Sequence, residues 1–212
     1  MNKIIIALTF LSISFTTQAQ SVAQIKKALE TSPNLAHYVK FDLHKKYKID
    51  TIAVISITSF EGTPDSLAYF GTVGKVYGPY KGKDNNSYLI KILQKAPNTF
   101  YHVSHIMLDT AIFKPRFADS LANKIIREIK SGTTTFEAMA STYSNDNSTA
   151  IKGGDLGWLS LDVMLPQLSK SISRHKKGDI FKVWADQGLH IITITDEPKK
   201  DTGYALMLKV IL

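Results

Sequence analysis

The stretch Gly153-Gly154-Asp155-Leu156-Gly157-Trp158 is the most distinctive part of this sequence. Three glycines within five residues predict a tight turn, because glycine readily adopts backbone conformations that other residues avoid. The polar residues 144–152 just before it predict a loop. The turn therefore joins two structured segments, and the patterns on either side show what those segments are.

Upstream of the turn, the sequence predicts one strand followed by two helices. Residues 101–108 alternate as a strand does. Apolar residues four apart then predict a helix that Gly132 ends, namely Phe117, Leu121, Ile125 and Ile129. Thr134 and Glu137 have the spacing of a capping box for a second helix. The buried face of that helix comprises Phe136, Met139, Ala140 and Tyr143.

Downstream, residues 162–173 predict a shorter helix, and a two-stranded hairpin follows it. Residues 180–184 and 189–195 are the strands, and Asp186-Gln187-Gly188 is a hairpin turn signature between them. The order is strand, three helices, then a hairpin. The run 205–212 predicts one more strand at the end of the chain.

The first third of the chain is less regular. A helix around residues 22–29 ends at Ser32-Pro33-Asn34, and a second, less apolar helical pattern starts at Asn34. Residues 52–57 and 88–92 predict strands, separated by glycine-rich turns. Ala96-Pro97-Asn98 is interpreted as a linker.

The amino end has the pattern of a signal peptide. Lys3 precedes an uncharged, mostly apolar run over residues 4–15, and Thr17-Gln18-Ala19-Gln20 supplies small residues for cleavage near Ala19 or Gln20. The run is shorter than the roughly 20 apolar residues that a membrane-spanning helix needs. We therefore expect a periplasmic or secreted protein with no integral membrane segment after cleavage, a retained amphipathic anchor being the alternative.

Composition excludes several kinds of site. The chain has no cysteine, which excludes disulfides, thiolate chemistry and cysteine-based zinc sites. Its net charge of +8 becomes +7 without Lys3, the only charged residue among residues 1–20, and the basic residues are spread along the chain. A nucleic-acid site would gather them on one face, so we expect no nucleic-acid partner.

The histidines do not predict a metal site either. His102 and His105 are three apart on a predicted strand and point to opposite faces. His37 and His44 are two helical turns apart, about 10 Å, which is too far for one ion. No metal is expected.

Several motifs in unbroken order over about 100 residues resemble the parvulin family of peptidyl-prolyl isomerases, as found in exported bacterial folding factors. The glycine-rich turn and the last of these motifs carry most of the resemblance. The motifs are Ser104-His105-Ile106-Met107-Leu108, Phe136-Glu137-x-Met139-Ala140, Tyr143-Ser144-Asn145-Asp146, Gly153-Gly154-Asp155-Leu156-Gly157-Trp158 and Gly188-Leu189-His190-Ile191-Ile192.

The resemblance implies an α+β fold, with a four-stranded antiparallel sheet and surrounding helices, preceded by a smaller helical and β-hairpin region. It implies four segments: a signal peptide (1–20), an N-terminal helical and hairpin region (21–97), the isomerase domain (98–197) and a C-terminal strand or tail (198–212). It also implies a shallow proline-binding site on the sheet.

The resemblance further implies roles for individual residues. His105 and His190 match the paired histidines of the family, and Asp146 matches a polar catalytic position. Leu156, Met164 and Leu168 match the apolar pocket for the proline ring, and Gln187 falls where relatives often have a small hydroxyl residue. Plainer explanations stay open: the histidines could only hold two strands in register, and Asp146 could only cap a loop.

Rotation about an Xaa-Pro bond breaks no covalent bond, so the implied reaction needs no nucleophile or cofactor. An apolar pocket favours the twisted, less dipolar amide over the planar one. The expected partners are unfolded or proline-containing polypeptides, with outer-membrane protein precursors as a hypothesis. The alternative is a catalytically weak chaperone or adaptor that binds unfolded segments, which the departures at Leu168 and Gln187 favour.

Overall fold

The computed structural model describes residues 20–212, so the predicted signal peptide lies outside the described residues except for Gln20. The helices are α1 (Val22–Thr31), α2 (Leu35–His37, continued by a π-helical turn at Tyr38–Asp42), α3 (Thr63–Phe70), α4 (Pro115–Lys130), α5 (Phe136–Tyr143), α6 (Asn147–Ala150) and α7 (Pro166–Ile172). The strands are β1 (Tyr47–Ala53), β2 (Val76–Lys81), β3 (Ser87–Asp109), β4 (Asp155–Ser160), β5 (Ile180–Ala185), β6 (Gly188–Ile194) and β7 (Lys199–Ile211).

The 23-residue strand β3 is the axis of a seven-stranded sheet in which every pairing is antiparallel. Its first half pairs with β7 on one side and β2 on the other. Its second half pairs with β6 and β4. The strand order β1-β7-β3-β6-β5 places β1 and β5 at the two ends.

The linker predicted at Ala96-Pro97-Asn98 is wrong, because these residues lie inside β3. Pro97 cannot donate to a ladder, and the register between β3 and β7 shifts between Ala96 and Pro97. The bulge accommodates the proline without ending the strand. The division of the chain at residue 97 stays a prediction about separately folding units.

The second half of β3 builds the predicted four-stranded antiparallel sheet, in the order β4-β3-β6-β5. One face packs on α4 and α5 through a core that includes Ile106, Leu108, Ile125, Phe136 and Ile191. The other face packs on α7 through Val103, Ile172, Ile192 and Ile194. Because side chains alternate along a strand, His105 and His190 lie on this second face. The predicted fold class is confirmed.

The glycine-rich stretch differs in detail from its prediction as a turn. The turn occupies residues 151–154, and Asp155 already begins β4, which pairs with residues 100–104. At Gly154, φ is +84°, and an added Cβ would overlap the carbonyl oxygen of His105. Gly154 therefore allows this turn to approach β3 closely at His105.

The N-terminal region packs on both faces of the β3–β7 pair. α1 and α2 cover one face with Ile25, Leu29 and Val39, and α3 covers the other with Leu67 and Ala68. One local prediction is wrong here, because the strand predicted at 52–57 runs from Tyr47 to Ala53, and α3 was not predicted at all. The capping box predicted at Thr134 and Glu137 is also wrong, because α5 is capped by Thr135, whose hydroxyl accepts from the Ala138 amide. Within residues 20–212, no helix has the length and apolar character needed to cross a membrane.

Candidate active site

Two buried histidines face each other on neighbouring strands. His105 on β3 and His190 on β6 are 7% and 3% exposed, and Met107 is the register partner of His190. Their Nδ1 atoms lie 3.3 Å apart, and the rings are tilted by 32° at a centroid distance of 5.4 Å. The pair therefore connects β3 to β6, as expected if these histidines hold the two strands in register. It also lies on the face of the sheet that carries a cavity.

Asp146 closes a chain of polar contacts behind the pair. Its Oδ2 lies 2.9 Å from Nε2 of His105 and accepts from the Thr149 hydroxyl at 2.7 Å. Its Oδ1 accepts from the amide and the hydroxyl of Ser148, at 3.1 and 2.6 Å, which makes Asp146 the N-cap of α6. Asp146 is thus a loop cap and a partner of His105 at once.

The loop that presents Asp146 is fixed to β3 by its own polar residues. The Ser144 hydroxyl accepts from the Met107 amide at 3.1 Å, and Oδ1 of Asn145 accepts from the Asp109 amide at 3.0 Å. The Asn145 amide donates to the carbonyl oxygen of Met107 at 2.8 Å. The polar run that predicts only a loop therefore positions the carboxylate against the histidine.

Hydrogen bonds keep the Asp146 carboxylate ionised. Partial burial acts to raise the pKa of Asp146, but the bonds from Ser148, Thr149 and His105 outweigh burial and hold this pKa well below its ordinary value. Burial lowers the pKa of His190 to about 4; the neighbouring His105 adds to this effect and Asp146 opposes it. His190 is therefore neutral at pH 7.

The ionised carboxylate assigns one proton in this series of contacts. It only accepts, so Nε2 of His105 donates to Asp146. The two Nδ1 atoms of His105 and His190 are within hydrogen-bonding distance, so one of them donates to the other. The remaining ring nitrogen, Nε2 of His190, is buried without a hydrogen-bond partner among the described residues. The site thus holds one buried polar atom without a partner on this face of the sheet.

A cavity of about 230 Å³ lies over this face, between the sheet and α7. His105 and His190 contribute to its lining, as do the four residues predicted to bind substrate: Leu156, Met164, Leu168 and Gln187. The sequence did not single out the other lining residues, which are Val103, Leu159, Val163, Leu165, Ile172 and Ile192. Among the described residues that line the cavity, only Gln187 and the two histidines have polar side chains.

Sequence reasoning placed Asp146 in the site but missed the residues that hold it. Asp146 is not part of the cavity lining and reaches the cavity only through His105. Thr149 contacts both, since its hydroxyl oxygen also lies 3.1 Å from Nε2 of His105. The sequence Asp146-Asn147-Ser148-Thr149 is a typical N-cap pattern. This pattern could have predicted that Ser148 and Thr149 bind the carboxylate of Asp146.

His102 belongs to a separate cluster on the same strand. Its Nδ1 lies 2.6 Å from Oδ2 of Asp196 and its Nε2 lies 2.9 Å from Oδ1 of Asp155. The ring stacks on Trp158 at a centroid distance of 5.3 Å. His102 therefore links the start of β4 to the segment after β6, apart from the histidine pair.

Comparison with known proteins now decides the family. Residues 87–198, more than half of the chain, match the family model of the PPIC-type PPIASE domain. The chain belongs to this family. The matched range begins at the start of β3, which agrees with β3 being one continuous strand.

Curated relatives of this PPIC-type chain include Chaperone SurA of Legionella pneumophila (strain Lens), 35% identical over 141 residues, and Chaperone SurA of Sodalis glossinidius, 36% identical over 124 residues. The matches cover 63% and 54% of this chain, and 32% and 29% of those proteins. The chain thus matches about a third of the length of the curated relatives.

Solved structures similar to it include a PpiC-type peptidyl-prolyl cis-trans isomerase domain (31% identity, 50% of this chain and 94% of that one, TM-score 0.43). PrsA from Bacillus subtilis is 32% identical, with 46% of this chain and 35% of that one covered and a TM-score of 0.40.

Proposed function

We propose that this chain is a peptidyl-prolyl cis-trans isomerase that assists the folding of exported proteins. The observation that carries the proposal is the apolar cavity whose polar wall is the buried His105–His190 pair. Ligand pockets for whole drug-sized molecules have volumes of roughly 300–1,000 Å³. A cavity of about 230 Å³ suits a single ring, such as that of proline.

The chemistry required is modest and fits these residues. The barrier to rotation about a peptide bond is ~18–20 kcal/mol, and resonance is its source. Twisting the bond reduces the amide dipole, so an apolar wall binds the twisted state better than the planar one and lowers the barrier. Leu156, Met164 and Leu168 would hold the ring, and the flexible thioether of Met164 would adapt to different clients.

The polar residues would act on the amide from the sheet side. His105 would be oriented by the ionised Asp146, which receives its Nε2–H. Neutral His190 would form part of the polar wall beside the bound segment. In this assignment His105, His190 and Gln187 face the substrate, and Asp146 positions His105.

The proposal includes the organisation and destination of the chain. Residues 1–20 would be a cleaved signal peptide, residues 98–197 would hold the isomerase activity, and residues 21–97 and 198–212 would support it. The protein would act outside the cytoplasm on unfolded or proline-containing polypeptides, outer-membrane protein precursors among them. The pattern of residues 3–20 and the naming of relatives as SurA support this destination.

A second candidate is a chaperone or adaptor that binds unfolded polypeptide with little turnover. Two observations favour it: the first relatives reported above carry the name Chaperone SurA, and Gln187 brings a long amide to the cavity. In this case the cavity would bind proline segments without favouring the twisted amide.

An isomerisation assay separates the two candidates. The protein is purified after export, its N-terminus is determined by mass spectrometry, and short Xaa-Pro peptides with different residues before proline are tested. The proposal expects isomerisation clearly faster than the thermal rate for at least one peptide. A thermal rate for every peptide, together with suppressed aggregation of an unfolded protein, would establish the chaperone instead. An N-terminus before residue 19 would contradict the predicted cleavage.

A further inference from the structure

Among residues 20–212, four strands of the sheet have one side that no other complete strand covers, and three of these edges are protected. β2 carries Pro79 and a register shift between Tyr77 and Tyr80. β4 is closed by a bridge between Ser56 and Leu159. α4 and α7 pack against β5, and Lys182 of β5 binds Asp119 of α4. Proline, irregularity and covering elements are the usual means of preventing edge-to-edge pairing.

The fourth edge, on β1, has neither a proline nor an irregularity, although α3 packs against one face of this strand through Ile52. Its seven residues pair with β7 without a register shift and contain no proline. The lysine at this edge, Lys48, is neutralised within its own strand, since its Nζ lies 2.8 Å from Oδ2 of Asp50. Two apolar side chains on this strand are unusually exposed, Tyr47 at 37% and Ile49 at 48%.

The backbone of β1 shows which groups are available. The Ile211 amide donates to the carbonyl oxygen of Lys46, and the Val54 amide donates to that of Gly203. Even-numbered residues of β1 therefore bond to β7, and backbone groups of odd-numbered residues point the other way. Among residues 20–212, no hydrogen bond engages the N–H or C=O groups of Tyr47, Ile49, Thr51 or Ala53 on this side. These four residues form the free edge of β1.

We infer that the free edge of β1 binds the same edge of a second copy of this chain, which makes one continuous sheet across a two-fold axis. The inference is independent of the proposed isomerase function. A two-fold antiparallel pair joins a surface to itself. Odd-numbered residues must face odd-numbered residues, because hydrogen-bonded pairs exchange both their N–H and C=O groups.

Charge selects one register among those that remain. With the axis at Ile49, Tyr47 faces Thr51 of the copy, Ile49 faces its own counterpart, and Lys48 faces Asp50. Opposite charges directly across a pair of strands stabilise it, and like charges destabilise it.

The neighbouring registers are disfavoured. Moving one chain by two residues in one direction places Lys48 opposite Lys48, and in the other direction it places Asp50 opposite Asp50. The register at Ile49 instead exchanges the two intrachain Lys48–Asp50 pairs, one in each copy, for two pairs between chains. It also brings the exposed Ile49 side chains together, so the charges and the apolar surface favour the same register.

A second copy fits this edge better than an unfolded client does. An unfolded client could pair with the backbone of β1 in any register. Its binding would not depend on the spacing of Lys48 and Asp50, which are two residues apart. The self-complementary spacing is what a two-fold interface needs. Capture of extended peptides by a monomeric protein is the competing outcome of the test.

The test is sedimentation equilibrium of the protein purified after export, with charge variants of the edge. Both side chains are accessible, with Lys48 73% and Asp50 39% exposed, so the variants are expected to fold. The wild type should approach twice the chain mass as concentration rises. Lys48→Asp and Asp50→Lys should each remain monomeric, because each places like charges opposite one another.

Mixing the two variants gives the decisive observation. The Lys48→Asp variant carries two carboxylates at this edge, and the Asp50→Lys variant carries two ammonium groups. In the inferred register every cross-strand pair between them is then opposite in charge, so the mixture should associate. The double variant Lys48→Asp/Asp50→Lys should again form dimers. Lys124→Asp, an equal charge change on the exposed surface of α4, is the matched control and should behave as the wild type does.

Two results would overturn the inference. One is a wild type that stays monomeric at every concentration, whether or not it captures extended peptides. The other is a dimer that both single variants form as well as the wild type does, since that dimer would use another surface. Circular dichroism of each variant confirms that a monomeric result does not come from unfolding.

Discussion

Asp146 and His105 are joined by a hydrogen bond of 2.9 Å between Oδ2 and Nε2, and the same carboxylate caps the short helix α6. One side chain therefore fixes both the loop that follows α5 and the ring that lines the cavity. Because Asp146 does not line the cavity itself, it acts on a substrate only through His105. This indirect connection is the basis of the first prediction.

Replacing Asp146 by alanine should lower kcat of the proposed isomerase by about tenfold or more, because hydrogen bonds to charged groups are worth about 1.5–3 kcal/mol. KM should change little, since the apolar wall that holds the ring is intact. Asp146→Asn should retain part of the activity, because an amide oxygen can still accept from Nε2 of His105. The measurement is steady-state isomerisation kinetics of the three proteins. A matched control is Asp65→Ala, a carboxylate in the first turn of α3. An Asp146→Ala variant that is folded and fully active would show that this residue is only a cap.

Truncating Met164 to alanine should lower kcat/KM by about tenfold, since burial of a methionine side chain against a ligand contributes on the order of 1.5–3 kcal/mol. In contrast to the Asp146 variants, part of this decrease in kcat/KM should come from a higher KM. Ile151→Ala serves as the control, because Ile151 is 83% exposed and lies outside the cavity. Equal kinetics for the Met164 and Ile151 variants would place the substrate elsewhere.

The sequence predicted the secondary structure around the candidate site where the local pattern is regular. The strands that carry His105 and His190 are confirmed, and the turn predicted at Asp186-Gln187-Gly188 is present, with Gly188 already in β6. Leu156, Met164 and Leu168 line one cavity with the two histidines, and their role in binding proline stays a prediction. The sequence pattern did not predict β4, because this strand follows Gly153-Gly154 directly and contains Gly157. Glycine is depleted in strands, and this segment becomes one only because β3 supplies the pairing partner.

Other features escaped prediction for related reasons. A proline within a strand is tolerated only at an edge or a bulge, so Pro97 predicted a linker. In the structure, the bulge between Ala96 and Pro97 allows the proline to lie inside β3. Thr149 looked like one polar residue among several in a loop. Its role depends on the distances to Asp146 and His105, which arise from the packing of the loop against β3.

The free energy of unfolding should decrease as the pH falls, and protonation of His190 should cause part of this decrease. Its pKa is lowered from 6.5 to about 4 in the folded state, so between these values the unfolded chain binds a proton that the folded chain does not. Stability contributed by the neutral, buried ring is complete above pH 6.5 and is lost as the pH falls through this window. The full loss is on the order of 3 kcal/mol.

The measurement for His190 is urea unfolding at several pH values, with His190→Asn beside the wild type. Carboxylates affect both proteins alike, so the difference between the two pH profiles isolates the histidine. The variant should have the shallower profile between pH 6.5 and pH 4. Parallel profiles would mean that His190 is accessible to protons in the folded state.

Gly154→Ala should destabilise the protein by at least about 3 kcal/mol, more than the about 1–2 kcal/mol that a left-handed backbone alone costs an alanine. The added Cβ would overlap the carbonyl oxygen of His105. Gly132→Ala is the matched control: its φ of +74° is similar, and the space around it is open. Chemical denaturation of both variants measures the difference. Equal losses at the two positions would show that the turn can move away from β3.

NMR exchange spectroscopy can show whether proline is twisted in the cavity beside His105 and His190, as we propose. A labelled Xaa-Pro peptide is mixed with a small amount of the protein, and cis–trans exchange is recorded together with the amide shifts of the protein. We expect exchange peaks that are absent without the protein, and shift changes concentrated at Val103, His105, Leu156, Met164 and His190. Shift changes at these residues without exchange would leave binding but contradict catalysis. Exchange with shift changes elsewhere would contradict the site.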